Sequence, residues 1–139
     1  MVAAGRLAEQ APDRFSLGLV VEGAERDVLA SDANLATFGP WADVMLYEAG
    51  LRSARAIVQA GGFRIDSGAR AHVTAIDAAD ALTNRKHHTI FVRLHRMRRR
   101  RHEFMYQAVA DPTAQDLAQA RRDVMSLIAV ARAAIEGIT

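Results

Sequence analysis

The sequence predicts an all-α protein, an antiparallel bundle of four or five helices. Apolar residues recur at intervals of three and four over most of the chain. Alternation of β-branched residues is absent, as are low-complexity segments and any internal repeat of about 20 to 50 residues. The periodic segments are divided by helix-breaking punctuation at Pro40, Gly61-Gly62 and Asp111-Pro112. With 139 residues, half of them apolar, the chain fits one compact unit with a modest core.

Residues 1–11 are expected to form a short, frayed helix, and Pro12 suits the first turn of the next one. That helix is expected over 13–32, with Phe15, Leu19, Val20, Val28 and Leu29 as a broad apolar stripe. The turn-rich SDANLATFGP precedes a helix at about 40–60, where Val44, Leu51 and Val58 lie seven apart and Tyr47, Ala54 and Ile57 widen the face. Trp41 and Tyr47 read as core residues. Gly61 and Gly62 end this helix in left-handed cap positions, and a glycine-rich loop follows, with a short extended stretch at Phe63 to Ile65. A third helix over 69–82 carries Val73, Ile76, Ala79 and Leu82 on one side, with His72 as a polar contact or cap; TNRK breaks it. The fourth helix spans about 88–108. Thr113 then caps the fifth, with Asp116 three residues on as an approximate capping box. In that last helix Leu117, Ala120, Val124, Leu127, Ile128, Ala131 and Ile135 form the most regular stripe of the chain, and Gly137 lies just past its end.

Composition narrows the chemistry. No cysteine is present, so disulfides, thiolate metal sites and thiol nucleophiles are excluded. The opening residues lack a signal-peptide pattern and no apolar run reaches membrane-spanning length, so a cytoplasmic location without membrane partners is expected. Net charge is only +2, but it is polarised. Eight of the eighteen Lys and Arg fall between Arg85 and Arg101, leaving ten bases against sixteen acids elsewhere. Such clustering favours one localised anionic partner.

The cluster lies in HHTIFVRLHRMRRRRHEFMY, residues 87–106. Ile90, Leu94, Met97, Phe104 and Ala108 form an apolar seam at helical spacing, and its missing member is Arg101. A guanidinium directed to the packed side requires carboxylates, phosphates, carbonyls or a wet inter-subunit cleft around it, because an unpaired buried charge costs several kcal/mol. His102 and Tyr106 lie one turn apart and share a face, with Arg98 and Arg99 a turn earlier. Arg93, Arg96, Arg98, Arg99 and Arg100 are the candidate anion or RNA contacts, with His95 at the rim. Adjacent His87 and His88 point apart on a helix and have no carboxylate at ligand spacing, so no metal site or other cofactor is expected. No Ser-His-Asp spacing, Walker loop or dinucleotide fingerprint occurs.

From about Trp41 onward the order of these features resembles the HEPN domain family of helical bundles. The resemblance rests on LYEAGLRSARAIVQAGGFR, the glycine-rich loop into ARAHVTAIDAADAL, RMRRRRHEFMY, and the capped final helix. It organises the chain as a HEPN-like bundle over 39–139 with residues 1–38 as a helical extension packed on it. In many members an arginine is followed by a polar residue and, four to six positions on, a histidine. Arg101, His102 and Tyr106 match that pattern with tyrosine in place of histidine; Arg96 with His102 is a looser register. The resemblance implies a homodimer through the 88–108 helix, a shared basic cleft, and metal-independent cleavage of RNA, with Arg101, His102 and Tyr106 catalytic. It also implies a toxin-antitoxin or defence setting in which a nucleotidyltransferase-type antitoxin is a further partner. The alternative is an inactive bundle that binds RNA, a nucleotide or a partner protein.

Overall fold

The computed structural model describes residues 7–106 and 110–138. Five helices, α1 (Arg14–Asn34), α2 (Gly39–Ala60), α3 (Ala71–Leu82), α4 (His88–Tyr106) and α5 (Ala114–Glu136), make an all-α bundle, joined by two short strands, β1 (Leu7–Glu9) and β2 (Phe63–Ile65). The helix bounds lie within about two residues of those read from periodicity, the expected scatter at frayed ends. The proposed end of the fourth helix at 108, and Ala108 on its seam, lie outside the described residues.

α2 is the central element and packs against all four other helices. Burial on several sides requires small residues, and Ala42, Ala49, Gly50, Ser53, Ala54 and Ala56 supply them. The tightest approach is at Gly50, where a Cβ would lie 2.6 Å from Leu94 Cδ1. Tyr47, Leu51, Ala54, Ile57 and Val58 are buried as expected, while Val44 is only half-buried. Trp41 is not; it stays 42 % exposed, edge-on to Phe104 at 5.3 Å, on the rim beside the turn that opens the helix.

Two expectations for the amino-terminal part are corrected. Leu7–Glu9 is extended, not helical, and pairs antiparallel with β2 in the register Leu7 to Ile65 and Glu9 to Phe63. Pro12 biases the residue before it away from helix, while β2 offers an edge for pairing; residues 1–6 lie outside the described part. Pro12 itself precedes the helix, because Asp13 is the N-cap, accepting from Phe15 N and from the Ser16 hydroxyl. Within α1 the packed stripe is Leu17, Val21, Ala24, Val28 and Ser31, whereas Phe15 (75 % exposed), Leu19 and Leu29 face outward. Small residues decide this rotation. Gly23 and Ala24 bring α1 close to its neighbours, and Ser31 Oγ donates to Ala42 O at 2.9 Å.

The ends behave as local chemistry dictates. Gly61 remains right-handed while Gly62, φ 95°, makes the left-handed turn, so one glycine of the pair carries the conformational demand. Thr113 and Asp116 complete a reciprocal capping box. All seven positions expected to form the α5 stripe are buried. Among the described residues no helix is long and apolar enough to cross a membrane.

Candidate anion-binding face of the fourth helix

Three buried residues, Phe91, Leu94 and Met97, anchor α4 to the bundle, and Ile90 packs partly against the same core. That orientation sorts the basic residues by angle around the helix. Arg93 and Arg100, seven apart, flank Met97 and reach across to other helices. Arg93 donates through Nε and Nη2 to Asp123 of α5 at 2.6 and 2.9 Å, and Gln119 adds a third hydrogen bond at 3.0 Å. Arg100 forms the equivalent fork on Asp43 of α2 at 3.0 and 2.9 Å. Both aspartates are buried, so each would be an uncompensated charge without its arginine. His95 contacts Asp77 at 2.8 Å and His88 contacts Asp80 at 2.6 Å, joining α4 to α3. Arg93, His95 and Arg100 therefore hold the bundle together, with their principal donors engaged within the chain.

Arg101 occupies the packed side of α4, with its side chain 33 % exposed. Its Nε lies 3.1 Å from Glu48 Oε1, within ion-pair range, yet the alignment is not that of a hydrogen bond. Nε of Arg101 and Nε of Arg98 are both buried without a hydrogen-bond partner among the described residues. Arg96 and Arg99 are exposed. No ion pair ties Arg96, Arg98 or Arg99 to a described carboxylate. Arg96 and Arg99 thus stand in solvent with no carboxylate of the described residues in ion-pair range.

His102 and Tyr106 stack on each other, ring centroids 4.8 Å apart and tilted by 44°. Both are exposed, Tyr106 by 74 %, so the pair projects from the end of the helix beyond the core. Phe104 turns the other way, against Phe38 and Trp41.

A second constellation was not foreseen as functional. Tyr47 has no exposed surface, and its phenol lies 2.9 Å from His72 Nδ1, joining α2 to α3. Burial, and then the charge of Glu48, push the phenol well above its ordinary pKa of 10.0, so it keeps its proton. Burial lowers His72 below its ordinary 6.5, and Arg55 lowers it further. A protonated phenol beside a neutral imidazole donates to Nδ1, leaving Nε2 to carry the ring proton. The charges of Arg55, Arg98 and Arg101 act on both rings, which places the dyad next to the α4 face. One signal in the sequence pointed here: a tyrosine on a core stripe needs a polar partner for its hydroxyl.

Among the described residues no group of three or more His, Cys, Asp or Glu is placed to hold a metal ion. No protein-family model, curated protein or solved structure matches the chain. The class defined by fold and site is accordingly an all-α bundle with an arginine-rich face on its fourth helix.

Proposed function

We propose that the protein is a HEPN-like, metal-independent ribonuclease of a toxin-antitoxin or defence system, with RNA bound along the arginine-rich face of α4. The observation that carries this reading is that Arg96, Arg98 and Arg99 have no carboxylate within ion-pair range among the described residues, on a helix whose Arg93 and Arg100 are matched by Asp123 and Asp43. A phosphate oxygen accepts charge-assisted hydrogen bonds from such guanidinium groups, which are stronger than those between neutral groups. In the reaction, the RNA 2′-oxygen attacks the adjacent phosphorus as a base removes its proton. The 5′-oxygen leaves with a proton, giving a 2′,3′-cyclic phosphate. Arg101 stabilises charge on the phosphorane oxygens, His102 transfers protons, and Tyr106 donates a hydrogen bond. A homodimer through α4 brings two such sets into one cleft, and a nucleotidyltransferase-type partner fits the exposed Tyr106 as a modification target.

The exposure of His102 and Tyr106 favours one second reading, an inactive bundle that binds RNA, a nucleotide or a partner protein through the same arginines. The two separate in one assay. Incubated with single-stranded RNA at low salt, the ribonuclease produces 2′,3′-cyclic ends, and Arg101→Ala abolishes them. Intact RNA with wild type, together with binding that weakens steeply as salt rises, selects the inactive binder.

A further inference from the structure

A groove on the other side of His72 is built from parts far apart in sequence. β1 runs into Gln10, whose N–H bonds Gly62 O at 2.9 Å, and this tie closes one wall. Arg55 and Gln59 of α2, Arg64 of β2, Ser67 of the following loop and His72 of α3 complete a space of about 490 Å³. The volume is that of a small-ligand site.

The donors in this groove differ from the tied arginines of the bundle. Arg52, Arg93, Arg100, Arg121 and Arg132 each have a carboxylate within ion-pair range, whereas Arg55 has none among the described residues. Arg64 has only Asp66, at 3.4 Å and largely in solvent. His72, fixed through Nδ1 by the Tyr47 hydroxyl, has Nε2–H as its unengaged donor. Helix α3 begins at the same place without a side-chain cap. The N–H of Ala71 bonds Gly68 O and that of Thr74 bonds Arg70 O, while those of His72 and Val73 have no backbone acceptor among the described residues. The Arg55 guanidinium, the His72 imidazole and the start of α3 at Ala71 thus line one volume. A flat carboxylate meets such an arrangement with two oxygens and one charge. A tetrahedral phosphate with three terminal oxygens and up to two charges satisfies all of it.

We propose that this groove binds a phosphate monoester, gripped by the Arg55 fork and by Nε2–H of His72, with Tyr47 as the positioning residue that sets the imidazole tautomer. The proposal stands apart from the ribonuclease reading. It concerns α2, β2 and α3, and its test involves no cleavage.

The experiment follows backbone amides and imidazole nitrogens by NMR on the full chain during titration with uridine 5′-monophosphate, inorganic phosphate, uridine, acetate and an unphosphorylated dinucleotide. Uridine 5′-monophosphate should give saturating shifts in the amides of residues 67–73 and at His72 Nε2. Uridine and acetate should give none. Arg55→Gln should weaken binding roughly tenfold or more, as expected for losing a charge-assisted hydrogen bond. Arg55→Lys, which keeps the charge and loses the fork, should fall between. Tyr47→Phe should leave the fold intact but shift His72 toward a mixture of tautomers and reduce affinity. Shifts that fail to saturate, that acetate reproduces, or that survive Arg55→Gln unchanged overturn the proposal. Inorganic phosphate binding while the ester is excluded overturns it in favour of free phosphate. Equal binding of the dinucleotide overturns it in favour of a contact to RNA backbone.

Discussion

Replacing Arg93 by methionine tests directly whether α4's basic residues are structural. The Asp123 carboxylate is 7 % exposed and takes two of its three hydrogen bonds from Arg93. Removing one partner of a buried pair costs about 3–5 kcal/mol. Arg93 is itself one-third exposed, so water can reach part of the space it vacates, and the expected loss is nearer ~2–3 kcal/mol. For a chain of this size that is a fall of roughly 7–12 °C in Tm. The measurement is urea unfolding followed by far-ultraviolet circular dichroism, with the m-value unchanged if only stability has moved. The double variant Arg93→Met with Asp123→Leu should recover much of the loss, because a matched apolar pair leaves no buried charge behind. A loss below about 1 kcal/mol, or a double variant as unstable as the sum of its singles, refutes the claim that Arg93 is a structural tie.

Other expectations follow from the same geometry. Arg96→Gln with Arg99→Gln should leave Tm almost unchanged, yet reduce the dependence of single-stranded RNA affinity on log salt by about 1.4, at ~0.7 per lost phosphate contact; an unchanged slope removes these two from the RNA face. Stability should fall as pH drops below 6.5, because the unfolded chain then binds a proton that the buried, Arg55-flanked His72 resists; above 6.5 both states are neutral and the effect vanishes. Thermal melts of His72→Gln should lack that increment. Above pH 10 the unfolded phenol ionises while buried Tyr47 does not, so stability falls again, and Tyr47→Phe should flatten this alkaline branch. Gly18→Ala meets open space in α1 and should gain about 0.5–1 kcal/mol of helix propensity. Gly50→Ala meets Leu94 Cδ1 at 2.6 Å, so overpacking of about 1–3 kcal/mol should cancel or exceed the gain; a raised Tm for Gly50→Ala would show that Leu94 yields freely.

Periodicity made the helices legible because their packed faces are strictly spaced, most plainly in α5, where Leu117 to Ile135 buries every expected position. Local chemistry made the Thr113 cap legible for the same reason: donor and acceptor are three residues apart. What escaped was decided by long-range packing. Phe15, Leu19 and Leu29 look like an inward stripe, but the close approach of small residues at Gly23, Ala24 and Ser31 rotates α1 and leaves the large side chains outside. β1 has no periodic signature in three residues and exists because β2 offers it an edge. The site was legible in composition more than in detail. The arginine cluster stood out, but its division into tied and available members depends on Asp43 and Asp123, acids on otherwise apolar faces of α2 and α5. Their positions inside core stripes were the clue that some of the arginines had internal partners. His72 and Tyr47, 25 residues apart, could be joined only by the α2–α3 crossing.

The division of α4 by angle bears on how a basic helix can serve both packing and recognition. A helix with this charge and few apolar residues would dock weakly on a hydrophobic core. Phe91, Leu94 and Met97 supply the apolar contact, and the forks to Asp43 and Asp123 extend the docked face across polar positions. The forks fix helix rotation, because a bidentate guanidinium tolerates little displacement of its carboxylate. Rotation fixed in this way leaves Arg98 and Arg101 with buried Nε groups, their charges acting on Tyr47 and His72. Loosening either fork should therefore shift Arg98 and Arg101 even though Arg93 and Arg100 point elsewhere. Carboxylates buried on α2 and α5 thereby set where the other arginines of α4 sit.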